Sequence, residues 1–135
     1  MEKAFVDTSG WVALFVDNDK YHKKAASVFE EIKNSKALIY TSDYVIDETI
    51  TTILARGSHK QSVLAGEALF TSKIIKIVHV CPDYLQAAWE LYQKYKDKMF
   101  SFTDVTSFAI MKELNIRKAL AFDREFIQAG IDLME

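Results

Sequence analysis

The sequence has little of what cross-links or punctuates a chain: 135 residues carry one cysteine, one proline and four glycines. A single cysteine, Cys81, excludes an internal disulfide. His22, His59 and His79 are far apart in the chain, so with one cysteine there is no zinc-ligand spacing to find. The scattered glycines and the lone Pro82 mark no linker, no low-complexity segment and no internal repeat. Residues 1–135 therefore read as one domain, a length that suits a single core. No apolar run is long enough to span a bilayer. No basic stretch, apolar core and cleavage site precede Ala4-Phe5-Val6, so no leader peptide is expected. The expectation is a cytoplasmic protein with no membrane contact. Strong charge of either sign is lacking too. Lys and Arg total 17 against 19 Asp and Glu, a formal charge of −2, so net charge does not advertise a nucleic-acid binder. Lys20, Lys23 and Lys24 form one local basic group and Lys94, Lys96 and Lys98 another, and the ordinary reading of each is a solvated helix face.

What the chain does have is apolar material, 50% of residues, with aromatics at 13%, ample for a core. The pattern alternates. Residues 3–6 read as a short buried strand and Gly10–Val16 as a brief helix, followed by the turn Asp17-Asn18-Asp19. Tyr21, Ala25, Phe29 and Ile32 recur at helical spacing. Residues 37–41 read as a second strand. Ser42 or Asp43 then caps a helix carrying Ile46, Ile50 and Ile53. Gly57 ends that helix, and Ser58 starts another that runs to about Ser72. Ile74–Val80 reads as a third strand. Pro82 suits the first position of a helix bearing Leu85, Ala88, Trp89, Tyr92 and Tyr95. Thr103 is the expected N-cap of a helix over 104–114, closed by Asn115 in the left-handed region. Residues 119–122 read as a fourth strand and 131–133 as a short edge strand. Strands alternating with helices imply parallel pairing and an α/β fold.

Ligands in such sheets bind beyond the carboxyl ends of the strands. Asp7 and Asp123 each follow a strand, Asp104 stands at a helix start on the same side, and Glu48 lies in the first turns of the helix after strand two. Each has a bland reading: Asp7 as a turn former or N-cap, Asp104 as a favourable charge at a helix N-terminus, Asp123 as an ion-pair partner of Arg124, and Glu48 as a surface acid rivalled by Asp47. Together on one rim they imply a cation, since two carboxylates about 5 Å apart repel by roughly 3 kcal/mol at an effective dielectric of about 20. All-carboxylate ligation favours magnesium or manganese. Such an ion can activate water and neutralise charge on a phosphate, which makes a phosphodiester the matching substrate. Thr8 and Ser9 could touch water on the ion or satisfy backbone groups. Thr103 could offer its hydroxyl besides capping its helix. Arg124 is the better placed phosphate contact, ahead of Arg56, which also suits a helix C-terminus. Trp11, Trp89 and the tyrosines near 92–95 read as core or dimer contacts.

These motifs carry a resemblance. Phe5-Val6-Asp7-Thr8-Ser9, Thr41-Ser42-Asp43-Tyr44-Val45-Ile46-Asp47-Glu48-Thr49, Ser101-Phe102-Thr103-Asp104 with Ser107-Phe108-Ala109, and Ala121-Phe122-Asp123-Arg124-Glu125-Phe126 with Gln128-Ala129-Gly130 occur in order across nearly the whole chain. In this the chain resembles the PIN-domain family of metal-dependent ribonucleases, especially its VapC-type toxins. The resemblance selects Glu48 over Asp47. It implies a three-layer α/β/α fold with a central parallel sheet of four to five strands and the acids at its carboxyl edge. It further implies one or two magnesium or manganese ions. Asp7 and Asp104 would be the leading ligands, with Glu48 and Asp123 binding a second ion or holding the attacking water. The implied activity is hydrolysis of single-stranded or loop RNA to a 5′-phosphate and a 3′-hydroxyl. A homodimer and a small antitoxin partner are implied as well. Two alternatives remain at this level: a PIN protein that binds or processes RNA without an antitoxin, and a magnesium-dependent phosphoaspartyl receiver. The receiver fits poorly, because Ser9 stands where it would want a second acid.

Overall fold

Ala4, Phe5 and Val6 are all fully buried, as a strand covered on both faces of a parallel sheet must be. In the computed structural model, which describes residues 2–134, they belong to the central strand β1 (Lys3–Val6). The chain then runs through α1 (Thr8–Phe15), α2 (His22–Asn34), β2 (Leu38–Ser42), α3 (Asp43–Arg56), α4 (His59–Thr71), β3 (Ile75–Val78), α5 (Pro82–Lys94), α6 (Phe102–Glu113), β4 (Lys118–Leu120), α7 (Arg124–Gln128) and β5 (Asp132–Leu133). The five strands lie in the order β3-β2-β1-β4-β5 and every pairing is parallel. Phe5 sits in register with Tyr40 on one side and Ala119 on the other. Helices cover the sheet to give three layers, α/β/α. Among the described residues no helix is long and apolar enough to cross a membrane.

Several local signals act as the sequence predicts. Ser42 is the N-cap of α3, its hydroxyl accepting the Val45 N–H at 3.1 Å. Pro82 is the first residue of α5. Asn115 takes φ 55° after α6, and the Ile116 N–H returns to the Met111 carbonyl at 2.8 Å. Other expectations shift. Helix α1 starts at Thr8 rather than Gly10, because Asp7 caps it by accepting the Ser9 N–H. Ser101, not Thr103, caps α6; its hydroxyl accepts the Asp104 N–H at 3.0 Å. Thr103 falls inside the first turn, where its carbonyl accepts from the Thr106 and Ser107 hydroxyls. Either residue satisfies the general rule for a cap, and the chain's entry direction decides between them. Strand β4 stops at Leu120, so Ala121, Phe122 and Asp123 leave the sheet as a connection to α7.

Trp11 is fully buried, and its Nε1–H donates to Thr41 Oγ1 at 3.0 Å; that hydroxyl in turn donates to the Val6 carbonyl at 3.0 Å. A buried indole needs such a partner. Of the two roles expected for Trp89 and Tyr92, core or dimer contact, their exposure removes the first: they are stacked on each other and 51% and 44% exposed. Gly10 marks the closest approach of α1 to the sheet. A Cβ there would overlap the Leu120 carbonyl oxygen, a backbone atom that cannot swing away. Gly10→Ala should therefore destabilise the protein by about 1–3 kcal/mol despite its better helix propensity, measurable as a lower urea midpoint at unchanged m-value.

Candidate metal centre and active site

Parallel topology puts the carboxyl ends of β1 and β4 side by side, and their following residues inherit that closeness. Asp7 leaves β1 with its N–H still bonded to the Leu120 carbonyl at 3.1 Å. Its side chain is 1% exposed. Oδ2 accepts from the Ser9 N–H at 3.4 Å and from the Ser9 hydroxyl at 3.2 Å, while Oδ1 is buried without a hydrogen-bond partner among the described residues. Asp104 is presented by the first turn of α6 and is also buried. Asp123 occupies the N-cap position of α7 but its side chain makes no capping bond, so the carboxylate is free to face the other two. One oxygen from each of Asp7, Asp104 and Asp123 lies within 4.8 Å of the others.

Ser9 ties this group together. Its hydroxyl donates to Asp7 and accepts the Phe122 N–H at 2.9 Å. The connection that carries Asp123 is thereby fixed to the end of β1.

The acids resist ionisation. Asp7 is pushed up to about 8, first by burial, then by the negative charges of Asp104 and, more weakly, Asp123; the backbone N–H groups of Thr8 and Ser9 oppose this. Asp104 is pushed up to about 6 by burial, then by Asp123 and Glu48, against the bonds from Ser101. Asp123 is raised as well, by burial first and then by Glu125 and Glu48. Burial and like charge both disfavour the carboxylate form. A divalent cation reverses both effects, and the donor set fits one. It consists of carboxylate oxygens only, the hard ligands magnesium and manganese take, and the buried Asp7 Oδ1 lacks the partner that a buried polar atom ordinarily has.

Of the four acids expected on this rim, three converge and Glu48 stands apart. It is half-buried on α3 and lines a cavity with Thr8, Ser9 and Asp123. It is close enough for its charge to act on Asp104 and Asp123. Neighbouring Asp47 is exposed. Arg124 is exposed at the first position of α7 and pairs with no acid among the described residues. Arg56 lines the cavity instead, held by Asp19 at 3.1 Å. Asp19, Tyr21 and Phe122 also line it. In the sequence Asp19 reads as a turn residue, Tyr21 as a helix residue and Phe122 as a strand and motif residue, and no local spacing signals that they meet.

Comparison with known proteins agrees over nearly the full chain. Residues 4–131 match the family model described as "PIN domain". The chain is 36% identical over 126 residues to the 23S rRNA-specific endonuclease VapC20 of Mycobacterium tuberculosis, covering 93% of each. A crystal structure of that sarcin-ricin loop cleaving toxin superposes with a TM-score of 0.86 at 35% identity, over 96% of each chain. VapBC2 from Rickettsia felis, solved with a promoter DNA fragment, gives a TM-score of 0.73 at 12% identity, covering 96% of each chain. FitAcB from Neisseria gonorrhoeae gives 0.69 at 13%, covering 98% of this chain and 96% of that one. The last two likenesses are of fold alone.

Proposed function

The chain belongs to the PIN-domain family, and from that membership and its rim of acids we propose that it is a metal-dependent endoribonuclease, the toxin of a VapBC-type toxin–antitoxin pair. The reaction is hydrolysis of RNA phosphodiester bonds. The observation that carries the reading is the meeting of Asp7, Asp104 and Asp123 within 4.8 Å, with one oxygen of the buried Asp7 unpartnered among the described residues. Like charges gathered in this way cost stability in the folded chain unless a cation binds there.

In this proposal Asp7, Asp104 and Asp123 hold magnesium or manganese, which when bound neutralises charge on the phosphodiester and lowers the pKa of water. Ser9 keeps Asp7 and the Asp123 connection in register. Glu48, outside the group of three and open to the cavity, is placed to orient the attacking water and accept its proton. Thr103 acts through its backbone, as the acceptor for Thr106 and Ser107 that sets the first turn around Asp104. The exposed Arg124 contacts the RNA backbone. The products carry a 5′-phosphate and a 3′-hydroxyl. A cytoplasmic homodimer held in check by a small antitoxin completes the proposal, supported by the identity with VapC20, whose structure is described as that of a toxin.

Purified protein should cut ribosomal RNA in magnesium or manganese, and EDTA should stop it. RNA binding with no cleavage under any divalent ion would instead favour a non-catalytic RNA-binding member of the family.

A further inference from the structure

Beside the three acids lies a cavity of about 290 Å³ whose far walls the metal chemistry does not use. That size is at the small end of ligand sites, enough for one compact unit and not for an extended chain. One wall is aromatic. Tyr21 and Phe122 stack with centroids 4.4 Å apart and planes 2° from parallel, and Tyr21 stays 37% exposed. Lys20 Nζ lies over the Tyr21 face that Phe122 leaves uncovered, 4.9 Å from the ring centre, and an exposed lysine can swing aside for a base. Arg56 also lines the cavity. A single carboxylate positions both Arg56 and Tyr21: Asp19 Oδ2 accepts from Arg56 Nη2 at 3.1 Å, and Asp19 Oδ1 accepts the Tyr21 backbone N–H at 2.9 Å. The Arg56 side chain remains 49% exposed, so donors of its five-membered set stay open to a ligand.

Two further observations concern the same space. Thr8 lines the cavity and is 7% exposed, its hydroxyl buried without a partner among the described residues. Phe122 is tied through its N–H to Ser9, and Ser9 to Asp7, so whatever lies against the aromatic wall is held at a fixed distance from the acids. A flat apolar wall and a guanidinium match a nucleobase, which has a face to stack and an edge to bond. A bare phosphate would need only the cation.

Resting on the nuclease reading, we propose that this cavity binds the base of one nucleotide flanking the scissile phosphodiester. The base packs against the Tyr21–Phe122 wall and Arg56 hydrogen-bonds to it. Asp19 is a positioning residue for both. The preference for one base over another at the cut site then arises here, because a base seated in a cavity is read along its edge, whereas the acids see only the phosphate.

The test titrates AMP, GMP, CMP, UMP and ribose 5-phosphate into the magnesium-loaded protein, followed by NMR chemical shifts. At least one mononucleotide should bind about fivefold or more tighter than ribose 5-phosphate, the scale of one stacked base. Tyr21→Ala should erase that advantage, and Arg56→Ala should reduce it while magnesium uptake by calorimetry persists. Arg56→Ala changes a half-exposed side chain and so keeps the test decisive should Tyr21→Ala fail to fold. Equal binding of ribose 5-phosphate and all four mononucleotides, or wild-type affinity in Arg56→Ala, overturns the proposal. Metal-dependent RNA cleavage alongside that result leaves the nuclease reading standing. Absence of both cleavage and metal uptake in the wild type overturns the nuclease reading and this inference together.

Discussion

Asp104→Asn should lower metal-stimulated RNA cleavage by about a thousandfold or more while the protein stays folded. The loss follows from charge. Three carboxylates share the proposed ion, and removing one weakens an electrostatic contribution worth several kcal/mol, with each 1.4 kcal/mol or so a factor of ten in rate. The fold should survive because the backbone N–H of residue 104 still reaches the Ser101 hydroxyl, and because the substitution deletes a buried charge that repels Asp7. Asp7→Asn should behave alike, since asparagine also serves as an N-cap. The measurements are initial cleavage rates on ribosomal RNA and calorimetric uptake of manganese. Wild-type rates in either variant would remove that residue from the centre. Loss of cleavage accompanied by a collapsed melting transition would assign the side chain to structure instead.

Without metal, the wild-type protein should lose stability as pH rises from about 4 to about 8. In the unfolded chain the Asp7 carboxyl ionises near 3.8; in the fold it holds its proton to about 8. Below the lower value both states are protonated and nothing is lost. Between the two values the unfolded state has released a proton that the folded state keeps, so each pH unit costs the fold about 1.4 kcal/mol. Above the upper value both are ionised and the loss is complete. For the buried Asp7 alone the total is on the order of 5 kcal/mol, against a net stability of about 5–15 kcal/mol for a whole domain. Asp104 adds a loss in the same direction, over by about pH 6. Asp7→Asn should thus be several kcal/mol more stable than wild type at pH 8 in EDTA and nearly equal to it at pH 4. Magnesium should stabilise the wild type at pH 8 by binding only the folded form, and should do little for the variant. Urea titrations at pH 4, 6 and 8 decide it: a flat wild-type profile in EDTA would mean that the acids carry no such strain.

Both predictions rest on side chains that the sequence could place on one rim but not in contact. Composition and alternation determined the α/β class. The buried run Ala4-Phe5-Val6, the cap at Ser42, Pro82 and the left-handed Asn115 were legible because each signal is local: a dihedral preference or a burial period read within a few residues. Parallel topology then brought Asp7, Glu48, Asp104 and Asp123 to the same edge, since the end of every strand faces the same way. The four ordered motifs carried the family resemblance. The tertiary structure alone decided that three of these acids come within 4.8 Å while Glu48 stays outside the group and lines the neighbouring cavity, because that depends on the strand order β3-β2-β1-β4-β5 and on the rotation of each helix about its axis. It also chose Ser101 over Thr103 as cap, and Arg56 over Arg124 for the cavity wall. The Arg56–Asp19 pair and the Tyr21–Phe122 stack join residues 37 and 101 positions apart. No periodicity along a chain encodes contacts at such separations. They exist only once the core has fixed the elements against one another.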